Sequence, residues 1–398
     1  MSMFVRIRTT QAWLVAAAVL LHAGMAQSAQ TTAATPTTPA AQLVVPAPPA
    51  LAASAYLVQD YESGQILVEQ NIDARVEPAS LTKMMTVYVV ESELASGRIK
   101  PDDLVRISEK AWRMEGSKMF VEVNKDVPVQ DLMRGVIIQS GNDASVALAE
   151  HVAGSEEAFA EMMNAHAKRL GMNGTHFKNA TGWPEPDHYT TARDLATLGM
   201  ALIRDFPANY KIHSEKEFTY NGITQRNRNE LLWTDTTIDG IKTGHTETAG
   251  YCLVASALRD GMRLVSVVMG TSGPDARASA TAALLNHAFR FYESRTIAAG
   301  QQPLAQGKVW KGAGDVVSAG LLQDLKLAVP RGSEAQLEKL PVLEARIVAP
   351  VKKDAAIGTF SVRLNGKELV SRPLVALQAV ESAGFLGRMA DDIRLMFE

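Results

Sequence analysis

Two hydrophobic periods alternate along this chain. Ala55-Tyr56-Leu57-Val58-Gln59 and Gln65-Ile66-Leu67-Val68-Glu69 flank the turn residues Tyr61-Glu62-Ser63-Gly64, which predicts a β-hairpin. Residues 81–94, 129–152 and 156–170 then carry apolar positions at helical spacing. The β-rich runs Tyr251 to Leu258 and Arg263 to Met269, joined at Asp260-Gly261, predict a second hairpin. Strands at both ends of a region with helices between them predict one α/β sheet closed by distant segments.

The pattern changes after about Ser294. Residues 305–377 hold short alternating segments, among them Lys326 to Val329, Leu343 to Val348 and Gly358 to Leu364, with Asn365-Gly366 as a turn. A small antiparallel β domain is expected, and having no His, no Cys and no clustered acids it is assigned no chemistry. From Gly384 onward Phe385, Leu386, Met389, Ile393, Met396 and Phe397 recur at helical spacing, an amphipathic helix that either docks on its own protein or lies on a membrane surface. Residues 381–398 carry two arginines against four acids, so membrane binding there would be hydrophobic rather than an attraction to anionic lipid.

The other end reads as an export signal. Arg6 and Arg8 precede the apolar run Ala12 to Leu21, and small residues follow at Gly24, Ala26, Ser28 and Ala29. The run is short of the roughly 20 residues that span a bilayer, so a cleaved signal peptide over residues 1–26, with cleavage as late as 29, is preferred to an uncleaved anchor. Residues 27–53 are rich in Thr, Ala and Pro without hydrophobic period, an extended tether. The expected organisation is therefore signal 1–26, linker 27–53, catalytic domain 54–294, β domain 295–379 and amphipathic helix 380–398.

Composition narrows the function. At 398 residues and 46% hydrophobic the chain can bury two cores. Its formal charge of −3 becomes −5 without the signal, so no basic excess exists to grip nucleic acid. Cys252 alone makes no disulfide and no CxxC pair, and it reads as a small buried strand residue. The eight histidines show no metal-ligand spacing, and no cofactor is implied.

The candidate chemistry lies in three short strings. Pro78-Ala79-Ser80-Leu81-Thr82-Lys83 opens an apolar helical run with a serine and a lysine three residues apart, on one face of one turn. A lysine whose pKa is lowered by burial can take a serine's proton and make it a nucleophile. Taken alone, this pair is equally an N-cap serine and a solvent-facing lysine. Gln139-Ser140-Gly141-Asn142-Asp143 interrupts a helix with a turn that aims the Ser140 hydroxyl and the Asn142 amide into one cleft. Gly240-Ile241-Lys242-Thr243-Gly244-His245 precedes the second hairpin and offers a cation, a hydroxyl and a residue without side chain, so that a substrate can lie close along the strand. Each string is common alone; their order and separation in an exported chain make the set specific.

With these motifs the sequence resembles the penicillin-binding serine DD-peptidases, most closely their low-molecular-mass D-alanyl-D-alanine carboxypeptidases, over nearly the whole mature chain. The resemblance implies an α/β penicillin-binding/β-lactamase-like transpeptidase fold, an antiparallel sheet with helices, followed by a C-terminal all-β domain and an amphipathic tail helix. It implies Ser80 as nucleophile, Lys83 as its base, Ser140 as a proton relay and Asn142 as a group that holds the substrate backbone and orders Lys83. Backbone N–H groups of Ser80 and His245 would form the oxyanion hole. Lys242 and Thr243 would recognise the substrate's terminal carboxylate, with Gly244 beside them, and Arg228 and Arg277 match family arginines that support the cleft and the carboxylate end. The implied partners are peptidoglycan peptides ending in D-Ala-D-Ala, β-lactam antibiotics as covalent inhibitors, and the membrane surface through the tail, on the periplasmic face of the inner membrane.

Three rivals stay in view. A DD-endopeptidase or transpeptidase shares the nucleophile and differs in substrate. A β-lactamase would need a loop glutamate to activate water, and Glu185 in Thr181-Gly182-Trp183-Pro184-Glu185 is the candidate, although its neighbours match the carboxypeptidase pattern and an exposed loop acid is the simpler account. A non-catalytic cell-wall binding protein would have no need to keep Lys83, Ser140 and Lys242 together.

Overall fold

In the computed structural model, which describes residues 45–396, the distant segments do close one sheet. Ala55–Asp60 pairs antiparallel with Met262–Thr271 on one side and with Ile66–Gln70 on the other. Gly250–Arg259 and Ile238–Thr246 continue the sheet to five strands, all antiparallel, with Ile238–Thr246 at one edge. Both faces of this sheet are covered, which is why its strands read as nearly unbroken apolar runs. Leu57, Val254, Val265 and Val267 point into a core shared with the helical lobe, while their neighbours Tyr56, Val58, Leu253 and Leu264 point the other way, against Leu284, Leu285 and Phe289 of the helix Pro274–Phe291.

The helical lobe contains Lys83–Ala95, Val129–Ile138, Asn142–Ala153, Glu156–Leu170 and Ala192–Asp205. Glu156–Leu170 is bounded as its sequence suggests: the Ser155 side chain accepts from the Ala158 N–H and Gly171 closes the helix in the left-handed region. The apolar run 129–152 forms two helices rather than one, broken where the Ser-Gly-Asn string stands.

The C-terminal part holds a six-stranded sheet, with its core built on Val317, Leu327, Phe360, Val362 and Leu374. Asn365-Gly366 turns the hairpin Ala356–Leu364 and Lys367–Ala376, as expected. One strand departs from the expected segment Leu343 to Val348: the chain is extended over Leu337–Leu343 and again over the two-residue strand Ile347–Val348. Leu337–Leu343 is an edge strand without clean burial alternation, and an edge tolerates Pro341.

The expected segment limits meet continuous structure. Tyr292–Ala298 is one strand across position 294, paired with Leu325–Pro330. At the amino end Leu51 and Ala53, inside the expected linker, pack against the second core. The signal-peptide reading and linker residues 27–44 lie outside the described residues. The tail helix is Phe385–Leu395, and residues before it still bridge to the β domain at Val351–Val380 and Gly312–Ser382.

Candidate active site

The nucleophile turn is tighter than an α-helix. Ala79–Thr82 is a 3-10 turn that runs into the helix Lys83–Ala95. Side chains three apart eclipse in 3-10 geometry, and Lys83 Nζ accordingly lies 3.0 Å from Ser80 Oγ, to which it donates. Lys83 is 0% exposed and gives a second hydrogen bond, 2.6 Å, to the Thr181 carbonyl. No carboxylate pairs with it among the described residues. Burial first, and then the Arg228 charge, lower its pKa from 10.5 to about 7, against a smaller upward pull from Asp143. A large fraction of the amine is therefore neutral near pH 7, the form that can accept the serine proton.

The loop that holds Lys83 is the Thr181 to Glu185 string, in which the sequence offers Glu185 as the candidate and gives no sign of the role of Thr181. Thr181 supplies the carbonyl, Thr86 Oγ1 donates to the Ala180 carbonyl at 2.7 Å, and the Asn179 side chain accepts from the Thr181 and Gly182 N–H groups. Gly182 has φ +82°, and a Cβ there would collide with the Ala79 carbonyl, so the loop can seat itself on the nucleophile turn only with glycine at this position. His188 completes the seam: its Nδ1 accepts from the Lys178 N–H and its Nε2 bonds Thr82 Oγ1 at 2.8 Å. Burial lowers its pKa to about 4, so it is a neutral ring that donates through Nε2.

Ser140 is the connector between Val129–Ile138 and Asn142–Ala153, at φ +63°, a left-handed conformation that a non-glycine residue holds at a cost of about 1–3 kcal/mol. Its Oγ is buried and has no hydrogen-bond partner among the described residues. Ala79, beside the nucleophile, is also left-handed at φ +47°. Asn142 departs from expectation: its Nδ2 donates to the Glu115 carbonyl at 2.7 Å, and it is Thr181 rather than Asn142 that holds Lys83. The next residue, Asp143, went unremarked in the sequence, yet its carboxylate accepts from the N–H groups of Met119, Phe120, Val121 and Ala144, at 2.8 to 3.2 Å. It pins the 115–121 loop to the helix start.

The edge strand Ile238–Thr246 brings Lys242, Thr243, Gly244 and His245 to the same place. A Cβ at Gly244 would lie 3.1 Å from Leu81 Cγ and 3.2 Å from the Pro78 carbonyl, so the glycine admits the nucleophile turn itself, not only a substrate. Lys242 is buried, donates to its neighbour's Thr243 carbonyl at 3.2 Å, and has its pKa pushed well below 10.5 by burial, then by Lys83, Arg228 and Arg277. The cation expected to recognise the terminal carboxylate is thus buried, and from this strand the residues that line the cleft are Thr243, Gly244 and His245.

That cleft has a volume of about 630 Å³ and runs from Ser80 and Ser140 to Arg228, Thr243, His245 and Arg277. Arg277 reaches the Arg228 carbonyl at 3.4 Å and lies 5.8 Å from the Tyr251 ring, which is itself tilted against His245 at 3.9 Å between centroids. Glu230 is the one carboxylate among the residues that line the cleft. Glu185 lies elsewhere, exposed and bonded to Asn179.

A serine held against a buried, partly neutral lysine, beside a cleft lined by two guanidinium groups, defines an active-serine acyl-transfer enzyme. Comparisons with known proteins agree. Residues 42–273 match the D-alanyl-D-alanine carboxypeptidase family, and residues 292–382 match the C-terminal domain of penicillin-binding protein 5. The chain is 44% identical to the D-alanyl-D-alanine carboxypeptidase DacA of Escherichia coli over 89% of its own length and 90% of the relative's. The structure of penicillin binding protein 5 from Haemophilus influenzae superposes with a TM-score of 0.82 at 42% identity, covering 85% of this chain and all of the other. Penicillin-binding protein D2 from Listeria monocytogenes, solved in an ampicillin-bound form, is 31% identical over 60% of this chain with a TM-score of 0.56. The chain belongs to the D-alanyl-D-alanine carboxypeptidase family.

Proposed function

We propose that this serine hydrolase removes the terminal D-alanine from cell-wall peptides ending in D-Ala-D-Ala, with Ser80 as nucleophile and Lys83 as base. The observation that carries the reading is the 3.0 Å Ser80–Lys83 pair sealed under the Thr181 carbonyl. The neutral amine of Lys83 takes the Ser80 proton as Oγ attacks the carbonyl between the two D-alanines, and backbone N–H groups of Ser80 and His245 receive the oxyanion. The C–N bond then breaks. Ser140, whose hydroxyl has no protein partner, passes a proton to the departing amine, and an ester on Ser80 remains for water to cleave. Arg277, Arg228 and Thr243 receive the terminal carboxylate. Lys242, buried beside Thr243 and bonded to its carbonyl, backs this end of the cleft rather than reaching the carboxylate directly.

The tail supports a place on a membrane surface. Phe385 is 72% and Met396 81% exposed, with Leu386, Met389 and Ile393 also exposed. The opposite face is tied to the β domain through Asp391, which accepts from the Lys311 N–H at 2.7 Å, and at the flank Asp392 pairs with the Lys311 ammonium. Two of the acids that argued against lipid attraction are thus used within the protein, and the apolar face is left outward, as a monotopic anchor requires. Among the described residues no helix is long and apolar enough to cross a membrane. With the signal-like amino end, this reading puts the enzyme on the periplasmic face of the inner membrane.

The test is to incubate the protein with a muropeptide ending in D-Ala-D-Ala and with a crosslinked dimer. Loss of one D-alanine from the first alone is expected; cleavage of the dimer alone would make the enzyme an endopeptidase. Rapid penicillin turnover lost in Glu185→Gln would favour a β-lactamase, against which the exposure of Glu185 argues.

A further inference from the structure

The catalytic cleft does not end at Gly116 and Ser117. It opens there into a second groove of about 450 Å³, which shares Gly116, Ser117 and Arg228 with the cleft and adds Lys118, Phe120, Gln139, Gln225 and Arg226. No acidic residue lines it. Lys118 donates to the Trp112 carbonyl at 3.4 Å, Arg226 lies 4.5 Å from the Trp233 ring, and Arg228 donates to the Gln139 carbonyl at 3.1 Å. Among the described residues none of these three cations pairs with a carboxylate, although the protein as a whole carries more acids than bases. Like charges gathered in a concave surface repel one another and raise the local concentration of anions. Gln139 adds a second observation: it is 2% exposed, its Nε2 donates to the Phe218 carbonyl at 3.3 Å, and its Oε1 has no partner. A buried acceptor of this kind calls for a donor, and an N–H group of a ligand lying in the groove is one such donor.

We infer that this groove is an anion subsite that receives a second carboxylate, distinct from the terminal one, of the peptide held in the cleft. The inference rests on the proposed peptidase reading and adds a specificity to it. The amide groups of Gln139 and Gln225 suit the peptide backbone next to that carboxylate, while Lys118 and Arg226 supply the charge. The carboxylate belongs either to the same peptide, upstream of the scissile bond, or to a second peptide joined to it.

Two peptides ending in D-Ala-D-Ala are compared, one with a free carboxylate upstream and one with the corresponding carboxamide, together with a pair of crosslinked dimers that keep one D-Ala-D-Ala end and differ in the same way on the second peptide. D-alanine release gives kcat/KM for each. The acid of at least one pair is expected to exceed its amide by on the order of five- to tenfold, the work of one half-buried and one exposed cation. That ratio should fall toward one in Lys118→Gln/Arg226→Gln and at high salt. Being internal, the ratio is blind to a general loss of activity in the variant. A preference in the monomeric pair assigns the carboxylate to the same peptide, and one in the dimer pair alone assigns it to the second. Equal release within both pairs, or a preference that survives the double substitution, overturns the subsite only. No release from any peptide overturns the peptidase reading and the subsite with it.

Discussion

A buried lysine whose pKa falls to about 7 is a stability cost that can be measured without any substrate. In the unfolded chain Lys83 titrates at its ordinary 10.5, so between pH 7 and 10.5 the unfolded state binds the extra proton, and stability rises with pH across that window. At about 1.4 kcal/mol per pH unit, holding this amine in the fold costs about 5 kcal/mol below pH 7 and nothing above 10.5. Lys83→Met keeps much of the volume and removes the charge. It also removes the hydrogen bonds to Ser80 and Thr181 and leaves the Thr181 carbonyl unpaired, an opposing loss of about 3 kcal/mol. At pH 7 the variant should therefore be inactive yet more stable by about 2 kcal/mol, a rise in Tm of roughly 4–8 °C for a domain of this size. At pH 9.5 the wild type recovers about 3 kcal/mol of its deficit, and the order of the two melting temperatures should reverse. Scanning calorimetry of both proteins at the two pH values reads this directly, because the difference cancels the other titrating groups. A variant less stable than wild type by the same margin at both pH values would mean that Lys83 stays protonated in the fold and cannot be the base.

Four further outcomes follow from the packing. Asp143→Asn leaves some of the four backbone N–H groups without an acceptor, a loss of about 2–3 kcal/mol in denaturant unfolding; because Asp143 raises the Lys83 pKa, the surviving enzyme's pH–rate midpoint should also move down. Gly244→Ala pushes the edge strand from the nucleophile turn by a few tenths of an ångström, and penicillin labelling of Ser80 should slow by about ten- to a hundredfold while stability falls by only about 1–3 kcal/mol. Gly182→Ala has no such latitude, since its Cβ meets backbone at φ +82°, and a drop of more than about 3 kcal/mol, or no folded protein on gel filtration, is expected. Deleting residues 384–398 should move the protein from membrane to soluble fractions with peptidase activity intact, and retention on the membrane would count against the tail as anchor.

Much of this architecture is legible in the sequence because local chemistry and fold agree there. The two hairpins of the central sheet carry their turns at Tyr61 to Gly64 and Asp260-Gly261, and Ser140-Gly141 breaks the long apolar run where the helices part. Ser80 and Lys83 are legible as a pair because three residues span one turn of either helix type. What could not be read depends on contacts between distant segments. Thr181 acts through its carbonyl, which no residue type encodes, and Gly182 is required because Ala79 packs on it 103 positions away. Asp143 looks like any helix-start acid until the 119–121 loop folds over it. Lys242 reads as a strand cation, and only the assembled cluster with Lys83, Arg228 and Arg277 shows it buried among like charges. The edge strand Leu337–Leu343 escaped notice because its side chains follow neither period.

The central claim is that Ser80 is acylated with neutral Lys83 as its base. The most direct measurement is the rate at which penicillin adds its mass to Ser80, followed by mass spectrometry as a function of pH. The neutral fraction of an amine with pKa about 7 rises about tenfold from pH 6 to 8. The labelling rate should rise with it around a midpoint near 7, and Ser80→Ala should take no label. A rate that is flat over this range, a midpoint near 10, or an adduct on another residue would contradict the account.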